Sequence, residues 1–156
     1  PNQLYKRAFF LKGIAEIYLF SWEEARSTFR TYFGNTLRFH QIDVIISQAI
    51  KKPRKSGSVA RILSTILPGS GQIYANNWTD GFNALILNGL FGYTSFSVAK
   101  SGNYRDASFL TLFLWMRYYL GNRDNAGKIA YQINRNQDLA FSKLILEKLQ
   151  ATWNEE

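Results

Sequence analysis

Two long uncharged runs constrain the fold of this chain more than any other feature. Residues 62–79 form an uncharged run of 18 residues and residues 81–99 form another of 19, separated by Asp80 alone. A bilayer core requires about 20 consecutive apolar residues from a spanning helix. Pro68, Gly69 and Gly71 interrupt the first run, which therefore predicts a broken helix. The second run predicts a membrane-spanning helix.

The second run also carries a stripe of small residues at steps of three and four, which we call the packing face. A smooth stripe of this kind is the surface through which membrane helices approach one another closely. After the polar turn "KSGNYRD", a shorter apolar run extends from Ala107 to about Leu120. We expect the two runs to form a helical hairpin. The packing face consists of Gly81, Ala84, Asn88, Gly92 and Ser95.

The first third of the chain has helical periodicity. Residues 3–33 predict a helix pair that breaks at "FSW", with Ser21 as the N-cap of the second helix. A third helix, from about Thr36 to Lys51, is expected to cap the pair. Gly13, Ala25 and Phe29 match the small and aromatic positions of a tetratricopeptide repeat, which this segment resembles in degenerate form.

These patterns predict an all-α fold in four segments. A tetratricopeptide-like module occupies 1–52, a basic linker 53–61, an apolar helical hairpin region 62–122, and a C-terminal amphipathic helix 123–156. Leu139, Leu146 and Leu149 predict one buried stripe on that last helix. The chain begins with a proline rather than a methionine, and we expect it to be a fragment or a processed form.

Positive charge is concentrated in the linker. The chain has a formal net charge of +8, and no acid interrupts the segment "KKPRKSGSVAR". Because this segment directly precedes an uncharged run, it predicts contact with lipid headgroups or a topology signal. Nucleic acid is the less favoured partner, since no helix-turn-helix, zinc-finger or RNA-platform pattern adjoins it. We call Lys51, Lys52, Arg54, Lys55 and Arg61 the basic collar.

The sequence predicts no catalytic site, metal site or cofactor. The absence of cysteine excludes disulfides, thiolate zinc sites and cysteine nucleophiles. His40 and Asp43 lack an accompanying nucleophile, and Glu23 and Glu24 point apart on a helix because they are sequence neighbours. We therefore expect a protein that is not an enzyme.

The stretch "LPGSGQIYANNW" is predicted to be a structural turn. It lacks the preceding strand and the Gly-Lys-Ser/Thr sequence of a phosphate-binding loop. A proline followed by glycines ends a helix, and polar side chains nearby can satisfy the backbone groups that the break leaves free. We call Pro68, Gly69, Gly71, Gln72 and Tyr74 the turn motif.

Residues 53–136 resemble a bacterial membrane-protein family of poorly defined function, in which tetratricopeptide-like helices are joined to a hydrophobic hairpin. The resemblance implies an envelope-associated helical protein rather than a reaction. The residues that carry it are Lys55 and Ser56, Pro68 to Tyr74, Asp80 and Gly81, Gly121 and Asn122, and Tyr131 with Asn134 and Arg135.

Two main hypotheses for function follow, and a small hydrolase or nucleic-acid enzyme that depends on His40 is kept as a third, less favoured one. The first is a non-enzymatic membrane-associated protein of the bacterial cell envelope, an assembly or protein-interaction component that contacts membrane lipid and a protein partner. The alternative is a soluble all-α protein-binding domain whose apolar runs form a buried core, which the mean hydropathy of −0.21 favours. Leu85, Leu90 and Phe91 discriminate between them: the alternative requires them to be packed inside protein on all sides.

Overall fold

The computed structural model describes residues 3–153, and within that range the secondary structure consists of helices joined by short turns, with no strand. The predicted all-α fold is therefore confirmed. Residues 1–2 of the predicted module and 154–156 of the predicted C-terminal helix lie outside the described range. The helices are α1 (Gln3–Tyr18), α2 (Trp22–Phe33), α3 (Leu37–Lys51), α4 (Gly57–Ile66), α5 (Ser70–Tyr74), α6 (Trp78–Lys100), α7 (Tyr104–Phe109), a π-helical segment (Leu110–Trp115) and α8 (Met116–Trp153).

The described chain divides into two compact units that are not consecutive in sequence. The first unit consists of residues 3–53 and 135–153, and the second of residues 54–134. Helix α8 contributes its first half to the second unit and its second half to the first. The predicted division after residue 122 therefore does not coincide with a unit boundary.

The first unit is built around α1, α2 and α3. A Cβ atom on Gly13 would lie 2.7 Å from Cζ of Phe29, so the glycine is what allows the Phe29 ring to lie against α1. The second half of α8 adds Ile145 and Leu149 to the same core. Trp22 Nε1 donates a hydrogen bond to Asp138 at 3.3 Å, which joins α2 to α8. The buried core consists of Ile17, Trp22, Ala25, Phe29, Phe39, Ile42, Ile46, Ala49, Ile145 and Leu149.

Two local predictions for the first unit can be compared with the structure. Ser21 occupies the N-cap of α2 as predicted, although its side chain makes no capping hydrogen bond within the described structure. In the predicted leucine stripe of α8, Leu149 is buried and Leu146 packs against the core, whereas Leu139 is 48% exposed. Asp138, Ser142 and Ile145 of the same helix are also buried. The leucine spacing did not indicate the two polar residues, whose hydrogen bonds to Trp22 and to the Ile17 carbonyl oxygen compensate for their burial.

The second unit contains the broken helix and the hairpin. Helix α4 ends at Ile66 and α5 begins at Ser70, on either side of Pro68. Helix α6 packs against α7 and the π-helical segment, which form the start of the second arm. That arm continues without interruption into α8, so the predicted C-terminal helix is present as the later part of one long helix that begins at Met116. Gly121 lies within α8, since an isolated glycine is tolerated in a helix interior.

The prediction of a membrane-spanning helix is not supported. Helix α6 has 23 residues, yet no helix in the described range 3–153 is both long and apolar enough to cross a membrane. The mean hydropathy of α6 is lowered by two asparagines, Asn83 and Asn88, and by its glycines and hydroxyl side chains.

Candidate functional site

The turn motif brings three helices into backbone contact at glycine positions. Gly69 has φ of +96°, and a Cβ there would lie 2.1 Å from the carbonyl oxygen of Gly81. A Cβ on Gly71 would lie 1.9 Å from the carbonyl oxygen of Ala60, and one on Gly81 would lie 2.5 Å from Cγ1 of Ile73. These glycines therefore set how closely α4, α5 and α6 approach, because any larger residue requires the backbones to separate.

Gln72 is fully buried and lies at the centre of a polar cluster. Ser64 Oγ donates to Gln72 Oε1 at 2.8 Å, and the Gly71 backbone N–H donates to Ser64 Oγ at 3.0 Å. Gln72 Nε2 donates to Asn122 twice, to its carbonyl oxygen at 3.0 Å and to Oδ1 at 2.6 Å. Gln72 was expected to bind a backbone group that the Pro68 break leaves free. It binds a backbone carbonyl oxygen instead on α8, that of Asn122.

Tyr74 ties the start of the second unit to α5. Its hydroxyl oxygen accepts a hydrogen bond from the Ser56 backbone N–H at 3.1 Å, and Lys55 Nζ lies 4.7 Å from the centre of its ring. Asn134 pairs with the backbone of Lys55, accepting from its N–H and donating to its carbonyl oxygen, both at 2.8 Å. We call the hydrogen-bonded set the clasp: Lys55, Ser56, Ser64, Gly71, Gln72, Tyr74, Asn122 and Asn134.

Several residues that carried the resemblance lie outside the clasp. Asp80 is half-buried near the start of α6 and pairs with Asn77, whose side chain caps that helix. Gly121 is exposed, and no atom of the described structure lies within 4 Å of the position that a Cβ would take there. Tyr131 is 61% exposed, and Arg135 belongs to the first unit.

The residues of the basic collar are divided between the two units. Lys51 and Lys52 belong to the first unit, whereas Arg54, Lys55 and Arg61 belong to the second. All are exposed except the half-buried Lys55. Arg61 lies across α8, because a Cβ on Gly127 would be 2.6 Å from its Nε.

The packing face lies against the rest of the second unit. Gly81, Ala84, Asn88 and Ser95 are buried and Gly92 is half-buried, with the Trp115 ring 3.7 Å from a Cβ position on Gly92. Tyr118 lies nearby on α8, where burial, reinforced by the negative charge of Asp80, raises its pKa and keeps the hydroxyl neutral.

The remaining faces of the hairpin expose large apolar side chains, which we call the apolar belt. Leu85 is 38% and Leu90 is 53% exposed, and Phe91 is half-buried. These three residues are therefore not packed inside this chain on all sides. The belt consists of Phe82, Leu85, Ile86, Leu87, Leu90, Phe96, Phe109, Leu112, Phe113 and Leu114.

The candidate catalytic residues are not brought together. His40 is exposed on α3. Asp43 instead binds Arg26, through Nε at 2.6 Å and a terminal guanidinium nitrogen at 3.1 Å, and this contact raises the pKa of Arg26. Across residues 3–153, no three His, Cys, Asp or Glu side chains form a group that would hold a metal ion.

Sequence reasoning missed Ser64, and it included Asn134 only among the residues that carry the resemblance, with no partner assigned to it. The partner of Asn134 is the backbone of Lys55, 79 residues away, and local periodicity carries no signal for such a contact. Comparisons with protein-family models, curated proteins and solved structures gave no match. The family resemblance therefore stays a prediction.

Proposed function

We propose that this chain is a non-enzymatic, membrane-associated helical protein of the bacterial cell envelope, and that the apolar belt of its second unit contacts lipid. The observation that carries the proposal is the exposure of the belt along both arms of the hairpin. Contiguous apolar surfaces larger than a few hundred Å² are rare on soluble monomers and mark interaction sites.

The proposed mode of association is interfacial. Helices can lie in the plane of the headgroups and bury their apolar faces about 5–10 Å into the acyl boundary, which does not require any helix to cross the bilayer. Exposed basic residues add attraction to anionic lipid, at about 1 kcal/mol for each lysine or arginine near the surface. Arg54 and Arg61 belong to the same unit as the belt and supply such charges.

The first unit is proposed to bind a protein partner. Its three helices and the second half of α8 form a separate core, and exposed apolar side chains at the α1–α2 turn offer contact area. Tyr18 is 65% and Leu19 is 73% exposed there. Both line a cavity of about 630 Å³ together with Leu139 and Lys143 of α8.

The alternative, a soluble domain with buried apolar runs, is the weaker proposal because Leu85 and Leu90 are exposed. It would require another protein to cover the belt. Co-purification of a stable complex that stays soluble and does not bind vesicles would favour it.

Flotation with vesicles tests the proposal. We expect the chain to float with vesicles of phosphatidylcholine and phosphatidylglycerol, and to float less as salt rises, because salt screens the basic residues. Replacement of Ile86, Leu90 and Phe113 by glutamine should abolish flotation.

A matched control replaces Leu11, Leu37 and Val44 of the first unit by glutamine. These side chains are 65%, 79% and 58% exposed, comparable with the belt positions. Flotation of this variant should equal that of the unmodified chain. Failure of the unmodified chain to float, or equal loss in both variants, would overturn the proposal.

A further inference from the structure

Helix α1 carries apolar side chains on two separate faces. One face packs into the core of the first unit, where Gly13 and Ile17 are buried and Phe10 and Ile14 lie against the same core. A helix that is apolar all round is normally covered on every side, yet the second face of α1 is exposed. We call this second face the α1 seam: Leu4, Ala8, Leu11, Ala15 and Tyr18.

The α1 seam has the spacing of a coiled-coil interface. Its residues recur at alternating steps of four and three, which is the a/d pattern through which two helices pack side by side. Leu11 and Tyr18 are each 65% exposed and Leu4 is 69% exposed, so the large side chains of the seam face outward. Alanines alternate with these large residues and leave a recess beside each of them.

We propose that the α1 seam binds the α1 seam of a second copy of this chain, with the two helices antiparallel. The inference rests on the proposed protein-binding role of the first unit and names its partner. In an antiparallel pair, the numbers of residues that face each other have a constant sum. Leu11 faces Ala8 of the partner subunit. By the same sum, Leu4 faces Ala15 of the partner subunit, so each leucine enters the recess at an alanine.

Self-complementarity is the reason for choosing a second copy as the occupant. The order large, small, large, small becomes its own complement when it is reversed, so one sequence supplies both sides of a two-fold symmetric interface. A parallel pair would instead place leucine against leucine and alanine against alanine. That arrangement leaves voids at the alanines, which close packing disfavours.

Charge selects the same register. Lys12 lies on the edge of the seam, where it pairs with Glu16 at 3.4 Å. In the proposed register Lys12 approaches Tyr5 of the partner subunit, and an aromatic ring attracts a cation. A shift that places Leu11 against Ala15 would bring the two copies of Lys12 together, and like charges in an interface oppose binding.

The interface is large enough for a weak dimer. The large side chains of the seam and the neighbouring Tyr5 are 56–69% exposed. With the two alanines they offer on the order of 600 Å² per copy, or about 1,200 Å² in total, which is the lower end of the range for specific interfaces. We therefore expect a dissociation constant on the order of 10–100 μM.

Sedimentation equilibrium tests the dimer. The chain studied carries glutamine at Ile86, Leu90 and Phe113, because these substitutions remove association through the apolar belt. We expect a reversible monomer–dimer equilibrium that Leu11→Arg weakens at least tenfold. Leu37→Arg is the matched control, since Leu37 is a 79% exposed leucine of α3 outside the seam, and it should leave the equilibrium unchanged. A chain that stays monomeric at millimolar concentration, or equal loss in the two variants, would overturn the proposal.

Ala15→Leu separates close packing of the seam from non-specific apolar association. The substitution adds apolar surface, which strengthens non-specific association, but it fills the recess that receives Leu4 of the partner subunit. Overpacking of this kind is destabilising. We expect dimerisation to weaken about tenfold, and stronger self-association would overturn the proposed packing.

Disulfide trapping tests the orientation, since the chain contains no native cysteine. The variants Leu4→Cys and Ala15→Cys are mixed and oxidised, and mass spectrometry distinguishes the products. The antiparallel register predicts that mixed dimers predominate. Predominant dimers of Leu4→Cys with itself would show a parallel pair, and they would overturn the proposed arrangement, as would the absence of trapped dimers.

The outcomes distinguish this inference from the proposed contact with lipid. Vesicle flotation is measured far below the expected dissociation constant, where the chain is monomeric, so substitution of Leu11 does not change it. A chain that dimerises through the seam without floating supports the inference and overturns the lipid proposal. A chain that floats and remains monomeric does the reverse. If the first unit binds a different protein through α1 and does not dimerise, the second copy as occupant is overturned.

Discussion

At the scale of single residues, the turn motif has no space for a side chain at Gly69 or Gly71. Gly71 is surrounded by the Ala60 carbonyl and Ser64 Oγ, and Gly69 adopts a left-handed conformation beside Gly81. The motif therefore has a structural function, which is to hold α4, α5 and α6 at backbone contact. Its polar member, Gln72, then extends the same arrangement to α8.

Gly71→Ala should destabilise the chain by about 3 kcal/mol, because the added Cβ would lie 1.9 Å from backbone that is itself packed. Gly89→Ala, where the described structure leaves space for a Cβ, should instead stabilise it by about 0.5–1 kcal/mol through helix propensity. Denaturant unfolding of both variants measures the difference. Similar effects at the two glycines would contradict the described packing.

The contact between Ser64 and Gln72 predicts an energetic coupling. In a double-mutant cycle of Ser64→Ala and Gln72→Leu, the free energies of unfolding should be non-additive by about 1 kcal/mol. A control cycle pairs Gln72→Leu with Ser97→Ala, which changes an exposed residue. Additivity in the first cycle would show that the bond does not contribute to stability.

The sequence predicted the break at Pro68, because proline and glycine act locally. It did not predict the partners of Gln72, since Ser64 and Asn122 are 8 and 50 residues away and nothing in local periodicity identifies them. Asn88 shows the same limit. Its place on the packing face followed from the spacing, whereas its unpaired oxygen depends on the tertiary environment.

At the scale of elements, helix ends differ in how well they are capped. The Asn77 side chain accepts a hydrogen bond from the Asp80 backbone N–H at 3.1 Å at the start of α6. Asn103 holds the same position before α7, but within residues 3–153 its side chain makes no capping bond. The two asparagines look alike in sequence.

Asn77→Ala should cost about 1 kcal/mol of stability, the usual contribution of an N-cap side chain. Asn103→Ala should cost much less, because no capping bond is lost. Thermal unfolding of the two variants measures both. Equal costs would show that the cap of α6 is not the source of the difference.

The longest element shows why helix boundaries are the hardest prediction. Gly121 and Asn122 suggested an end to the hairpin, because glycine and asparagine are common where helices stop. In the structure α8 runs through both residues, and the Asn122 side chain is held by Gln72. Tertiary contact outweighs the local preference at this position.

At the scale of the whole molecule, the two units share α8 but have separate cores. Ile145, in the second half of that helix, is fully buried in the core of the first unit. Its neighbour Leu144 is 47% exposed.

Ile145→Ala should destabilise the first unit by about 3 kcal/mol. Amide hydrogen exchange should then accelerate in α2 and α3 and remain unchanged in α5 and α6. Leu144→Ala is the control and should leave exchange nearly unaltered. Equal acceleration in both units would contradict the division into two units.

The sequence predicted the helical class and the small-residue stripe, yet it left open whether the apolar runs were buried. Spacing alone cannot decide this, because a core helix and a lipid-facing helix have similar compositions. The structure leaves Leu90 and Ile86 exposed, which is the basis for the proposed contact with lipid.

Labelling at single cysteines tests that central proposal most directly, since the chain contains no native cysteine. An environment-sensitive fluorophore is placed at Ile86 or Phe113 of the belt, and at Val44 of the first unit as a control. These side chains are 64%, 62% and 58% exposed. On addition of phosphatidylglycerol-containing vesicles, emission should shift to the blue at Ile86 and Phe113 and stay unchanged at Val44. No shift at the belt positions, or an equal shift at Val44, would contradict the account.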